Sequence, residues 1–280
     1  MNNFFRRTLT GVWIVLFILG GFWLHPVSFF ITGLVLMTGT QYEYLVMIKN
    51  MGIRAQVFPG IAVSIVIYVI ATMAAAGIIS LKWLLLGIPL FTAVIIIELY
   101  RKQDRPFDSL AHTVFSVLYT AVPFSLFPFA AFSHEGISSL LPHANILFSP
   151  GIILGFFFLL WANDTGAYLT GVLAGKHRLM ERISPKKTWE GFFGGLMTAA
   201  LVAWLLSGWI GVVDAKEWMF VALIVSVTGT YGDLAESMLK RSNGVKDSGT
   251  ILPGHGGFLD RFDSAIISFP LVYLFISLLG

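Results

Sequence analysis

A chain of 280 residues that is 56% hydrophobic and only 12% charged is excluded from the ordinary soluble domains, in which about 25% of residues are charged. Its mean hydropathy is +0.82, and so much apolar surface has no core large enough to hide it, so the surplus must face lipid. The net charge of +3 and pI near 9.1 are mild and fit basic loops beside anionic headgroups rather than nucleic acid, while the lack of cysteine removes disulfides and thiolate metal sites.

A helix needs roughly 20 apolar residues to cross the hydrocarbon core. The sequence predicts nine such spans, at 8–25, 27–47, 57–79, 82–99, 110–132, 149–173, 191–213, 217–232 and 264–280. The expected fold is therefore all-α, a polytopic membrane helix bundle. Arg6 and Arg7 ahead of the first apolar run have a signal-peptide flavour, but no small-residue cleavage site follows, so the run is expected to remain as a span. His25-Pro26 marks a tight turn. The eighth span is short; its apolar stretch is expected to begin near Lys216 and its C-terminal end to continue into the aqueous phase.

With the N-terminus inside, the inner loops are 1–7, 48–56, 100–109, 174–190 and 233–263. They hold Arg6, Arg7, Lys49, Arg54, Arg101, Lys102, Arg105, Lys176, Arg178, Arg182, Lys186, Lys187, Lys240, Arg241, Lys246 and Arg261, whereas the outer connections hold only Lys82 and Lys216. Sixteen of the 18 basic residues thus fall on one side, which the positive-inside rule reads as cytoplasmic, with the C-terminus exterior. The organisation is lopsided. Residues 1–110 read as a transmembrane scaffold, and 111–280 as a catalytic region whose cytoplasmic loops, 174–190 and 233–263, are dense in Gly, Lys, Asp and Ser.

The chemistry can be followed along the second half. Asp164, in Trp161-Ala-Asn-Asp-Thr-Gly-Ala-Tyr168, lies roughly 14 Å along the sixth span from residue 173. A charge at that depth costs some kcal/mol, so it is expected to face the bundle or a wet cavity in a functional role, with Asn163 able to share it; a structural hydrogen bond is the alternative. After the span, Ser184 followed by Pro185 reads as a helix N-cap with proline at the first helical position. Lys186 and Lys187 would then sit in a first turn, where the helix dipole disfavours cations. That conflict makes sense if an anion binds there, either a ligand phosphate or anionic lipid. Asp233, Ser237 and Lys240 follow i, i+4, i+7 spacing and line one stripe of a helix leaving the eighth span.

The densest stretch runs from Ser237 to Asp263. Gly254, Gly256 and Gly257 allow close backbone approach and positive φ, as phosphate-cradling loops require. Asp260 and Asp263, at i and i+3, place two carboxylates on one helix face. Such a pair suits a hard divalent cation, Mg²⁺ touching substrate phosphates being the usual case, and Lys246 and Arg261 supply charge for the phosphates. A turn or a helix cap would explain each feature alone; their combination within ten residues points to function.

Ser237-x-Leu239-Lys240-Arg241, then Lys246-Asp247, His255-Gly256-Gly257, Asp260-Arg261 and Asp263 resemble the signature of the phosphatidate cytidylyltransferases, or CDP-diacylglycerol synthases. Asn163-Asp164-Thr165-Gly166 and Ser184-Pro185-Lys186-Lys187-Thr188-Trp189-Glu190-Gly191 are similar to that family too. The resemblance implies transfer of the cytidylyl group of CTP to phosphatidic acid with release of pyrophosphate, dependence on Mg²⁺ with a second cation such as K⁺, and a homodimer. On this reading Asp233, Asp260 and Asp263 hold metal, and Asp164, a further candidate ligand, closes the cavity. Lys186, Lys187 and Lys246 neutralise CTP phosphates beside Ser184 and Thr188, while Lys240 or Arg241 holds the lipid phosphate. Ser237 and Asp247 orient these groups, and Gly254, His255, Gly256, Gly257 and Arg261 contact phosphate. Two other readings compete: a CTP-dependent polyprenol kinase, needing the same metal and nucleotide groups, and an ion-coupled transporter with Asp164 in its path.

Overall fold

The computed structural model describes residues 3–134, 146–245, 247–249, 251–252 and 256–279. Each of the nine expected segments is helical: α1 (Asn3–Trp23), α2 (Pro26–Lys49), α3 (Val57–Ala75), α4 (Gly87–Arg101) with a leading 3-10 turn from Leu81, α5 (Pro106–Ser116) continued through a π turn into α6 (Val122–Ala131), α7 (Gly151–Ala174), α8 (Trp189–Trp209), α9 (Ala215–Ser242) and α10 (Leu259–Leu279). Among the described residues seven helices are long and apolar enough to cross a bilayer: α3, Leu81–Arg101, Pro106–Ala131, α7, α8, α9 and α10. The apolar part of α1, Leu9–Trp23, is shorter. The 24-residue α2 is interrupted by Gln41 and Glu43, both buried.

Local chemistry sets the helix ends. His25 caps α2, its Nδ1 accepting from Val27 N–H at 3.1 Å, with Pro26 at the first helical position. Asp214 and Glu217 form a reciprocal capping box at the start of α9. From that cap α9 runs 28 residues. At 1.5 Å per residue this is about 42 Å, longer than a hydrocarbon core of about 30 Å, and the helix continues past residue 232 to Ser242.

The chain divides into two compact units, one of 1–150 with 247–260 and the other of 151–246 with 261–280. In the first, α1 packs on α2 and α3 on α6, around an aromatic core in which the Phe22 ring lies 4.9 Å from Phe29 and 5.8 Å from Phe127. A short antiparallel pair, β1 (Phe132–His134) with β2 (Ile146–Phe148), follows α6.

In the second unit α7 and α8 pack most closely. A methyl group at Gly195 would fall 2.8 Å from the Asn163 carbonyl oxygen, and one at Gly166 would meet Thr198 and the Gly194 carbonyl. Small residues let the two backbones approach, the means by which helices associate where lipid offers no hydrophobic drive. Between them lies a second antiparallel pair, β3 (Arg178–Met180) with β4 (Ser184–Thr188), in which Arg178 faces Thr188 and Met180 faces Ser184.

This hairpin corrects one expectation. Ser184 does not cap a helix and Lys186 and Lys187 are not in a first turn; both lysines lie on β4. The cap is Thr188, extended at φ −127°, ψ 155°, whose Oγ1 accepts from Gly191 N–H at 3.1 Å. The β-branched threonine suits the extended backbone that ends the strand, and pairing with β3 gives the backbone of 184–188 partners that a helix start would leave unsatisfied. Glu190, in the first turn of α8, accepts from the N–H groups of Lys176, at 3.0 Å, and His177, so it ties the hairpin's entry to the helix.

Candidate active site

The site is built where α9 meets α10 within the second unit. A Cβ at Gly232 would lie 2.9 Å from the Asp263 carbonyl oxygen and 3.0 Å from Ser264 Cα. Glycine at this position therefore permits the approach, and Ser264 Oγ donates to the Gly229 carbonyl at 3.0 Å. This crossing brings Asp233, one residue after Gly232, toward Asp263. Glu236, one helical turn further along α9, completes the group: the three residues have carboxylate oxygens all within 4.8 Å of one another. Asp263 is 7% exposed and Glu236 1%.

Three carboxylates so close repel one another, and buried charge persists only when paired or bound to metal. Here the compensation is visible. Lys187 Nζ lies 2.7 Å from Asp233 Oδ2 and also donates to the Thr230 carbonyl at 3.2 Å. Lys240 Nζ lies 2.5 Å from Glu236. Ser237 Oγ donates to Asp233 Oδ1 at 3.3 Å, and Asp263 Oδ1 accepts from Ser264 N–H at 2.6 Å. Among the described residues Lys187 and Lys240 thus stand against three carboxyl groups, a set of hard oxygen donors.

Beside them opens a cavity of about 370 Å³, within the size range of small-ligand sites. Its polar wall comprises Asn163, Asp164, Lys186, Lys187, Thr188 and Asp233, and Tyr168, Val172, Leu179 and Phe192 make the apolar one. Asp164 is within electrostatic reach of Asp233, Lys187 and Arg261.

The structure therefore gathers Asp164, Asp233, Asp263, Lys186, Lys187 and Thr188, and places Ser237 and Lys240 along the same stretch of α9. Ser184 starts β4 without lining the cavity, and Arg241 and Arg261 are exposed. The residues of the first unit are arranged differently. Asp260, in the first turn of α10, accepts from Gly257 N–H at 2.8 Å and Ser248 N–H at 3.1 Å. Gly256 has φ +81° and its carbonyl accepts from Leu252 N–H at 3.0 Å. Asp247 is exposed. Lys246, Gly254 and His255 lie outside the described residues. Sequence reasoning missed Glu236; its signal was the i+3 spacing from Asp233, which puts both on one helix face.

The class defined by this fold and site is a multi-pass helical membrane protein whose acid and lysine cluster suits the handling of phosphates. Residues 5–279 match the model of the Cytidylyltransferase family. The chain belongs to that family. It is 37% identical over 250 residues to a phosphatidate cytidylyltransferase of Staphylococcus epidermidis, covering 86% of this chain and 89% of the relative, and equally so to one of Staphylococcus aureus. A third, from Staphylococcus haemolyticus, is 41% identical over 168 residues, 59% of this chain and 64% of the relative.

Proposed function

We propose that this protein is a CTP:phosphatidate cytidylyltransferase of a bacterial inner membrane, forming CDP-diacylglycerol and pyrophosphate at the cytoplasmic face. The observation that carries the reading is the meeting of Asp233, Glu236 and Asp263 with Lys187 beside a cavity, in a chain of this family.

An oxygen of the phosphatidate phosphate attacks the α-phosphorus of CTP. The bond from that phosphorus to the α,β-bridging oxygen breaks, and its electron pair leaves with pyrophosphate. The attacking phosphate is already anionic, so no side chain has to remove a proton. Transfers of this type depend mainly on positioning and charge neutralisation. Lys186 and Lys187, both lining the cavity, supply cationic contacts for the triphosphate, and Asn163 offers hydrogen bonds from the α7 wall. Tyr168, Val172, Leu179 and Phe192 give the cavity an apolar side.

The donor set of Asp233, Glu236 and Asp263 fits Mg²⁺, a hard cation that takes carboxylate oxygens. Bound there, the ion would neutralise charge on the phosphate oxygens. A second cation such as K⁺ and a homodimeric assembly belong to the same proposal.

The decisive experiment supplies purified protein with phosphatidic acid, Mg²⁺ and CTP labelled at either the α- or the γ-phosphate. Label from the α-position should enter the lipid phase and label from the γ-position should appear in pyrophosphate. Entry of the γ-label into lipid, with CDP released, would instead establish a lipid kinase.

A further inference from the structure

The signature segment 247–260 is held by a residue far away in sequence. Glu43, in the C-terminal half of α2, is 3% exposed. Its Oε2 accepts from Leu259 N–H at 2.9 Å and from Ser248 Oγ at 3.3 Å, and its carboxylate also takes the N–H of Phe258. Two glycines of the segment exist in its shadow: a methyl group at Gly249 would lie 2.6 Å from Glu43 Oε1, and one at Gly257 would collide with both carboxylate oxygens. One turn earlier on the same face of α2, a Cβ at Gly39 would fall 2.9 Å from the Phe258 ring. Asp260 also holds Ser248, through its N–H, and the neighbouring Gly257 N–H. The segment's ends are thus closed on each other by two carboxylates, with α2 as the anchor.

We infer that Glu43 is a positioning residue for the transfer reaction: it fixes the backbone of the signature loop from α2 without touching substrate. An apolar side chain of similar size would satisfy packing alone. A buried carboxylate differs in that it can accept several N–H groups at once, and hydrogen bonds to charged acceptors are the strong ones. The inference rests on the proposed cytidylyl transfer and on the part in it that the family resemblance implies for the 247–260 motif.

The test uses the full chain in detergent and two readouts. In Glu43→Gln the amide accepts fewer N–H groups and places donors where only donors meet it. Hydrogen exchange at Gly257–Leu259 should accelerate about tenfold or more, while the cores of α7 and α8 stay protected. In the label-transfer assay kcat should fall roughly 10- to 100-fold, the cost typical of a small misplacement near reacting groups, with the thermal midpoint nearly unchanged. Glu43→Asp should recover only part of the rate, since it is one methylene short. Should Glu43→Gln fail to fold, Gly249→Ala decides, because its methyl group pushes on the same carboxylate and should produce the same two changes. Wild-type kcat together with wild-type exchange in the variant that folds overturns the inference. If the wild-type protein itself transfers no label, the function is refuted and the exchange measurement alone still judges whether Glu43 holds the loop.

Discussion

Asp233, Glu236 and Asp263 bring three carboxyl groups into one small space, and Lys187 and Lys240 pair with two of them. Asp233→Asn and Asp263→Asn should each lower kcat by at least about 100-fold, the scale on which a preorganised electrostatic group acts, with helix content by circular dichroism unchanged. Glu236→Gln is the more informative variant, because its carboxylate is shared with Lys240. It should raise the Mg²⁺ concentration needed for half-maximal rate, and an unchanged Mg²⁺ titration removes Glu236 from the metal set. Glu236 escaped the sequence reading for a physical reason: a glutamate four residues before Lys240 has the spacing of an ordinary surface pair on a helix. Its burial comes from the packing of α9, which no local pattern encodes. Asp164 was legible because charge within an apolar run is costly wherever the run packs.

Helices carry these residues to their places, and the contacts between helices are the second level of control. The α9–α10 crossing depends on Gly232, where an added methyl group would press on the Asp263 carbonyl. Gly232→Ala should therefore separate the two backbones slightly and reduce kcat about 10- to 100-fold while leaving CTP binding, measured by calorimetry, close to wild type. Loss of binding with an intact rate constant would contradict that account. At the hairpin, Thr188→Ala removes the α8 cap and should cost about 1 kcal/mol of stability, seen as a lowered thermal midpoint, with Thr188→Ser near wild type. Apolar length made the helices readable before their packing was known, since hydrophobicity over about 20 residues is a strong signal. The β3–β4 hairpin gave no such signal: Ser184-Pro185-Lys186-Lys187 lacks the alternation of a half-buried strand and obeys the rules of a helix start equally well. Only its pairing with Arg178–Met180 decides.

For the whole molecule the open quantity is topology. Seven helices meet the length and hydropathy of a span among the described residues; the distribution of basic residues calls for an odd number of crossings, which becomes nine when α1 and α2 insert as well. The polar groups of α2 do not forbid this. Gln41 donates to Ser116 Oγ at 3.0 Å and one carboxylate oxygen of Glu43 accepts from Leu259 N–H at 2.9 Å, so each has a protein partner in place of water. The chain contains no cysteine, so single cysteines can be introduced without a background. Lys82, Asp104, Glu181 and Lys216 are exposed, Lys82 and Lys216 at helix starts, Asp104 between α4 and α5, and Glu181 in the β3–β4 turn. With nine crossings and a cytoplasmic N-terminus, Lys82→Cys and Lys216→Cys should react with a membrane-impermeant maleimide in intact cells. Asp104→Cys and Glu181→Cys should react only after permeabilisation. If α1 and α2 both fail to cross, the parity of the later helices is unchanged, so a fifth cysteine at Trp23 separates the cases: it is labelled from outside only when α1 spans. The reverse pattern at Glu181 would place the hairpin lysines, and with them the proposed reaction, on the exterior face, where CTP is not supplied.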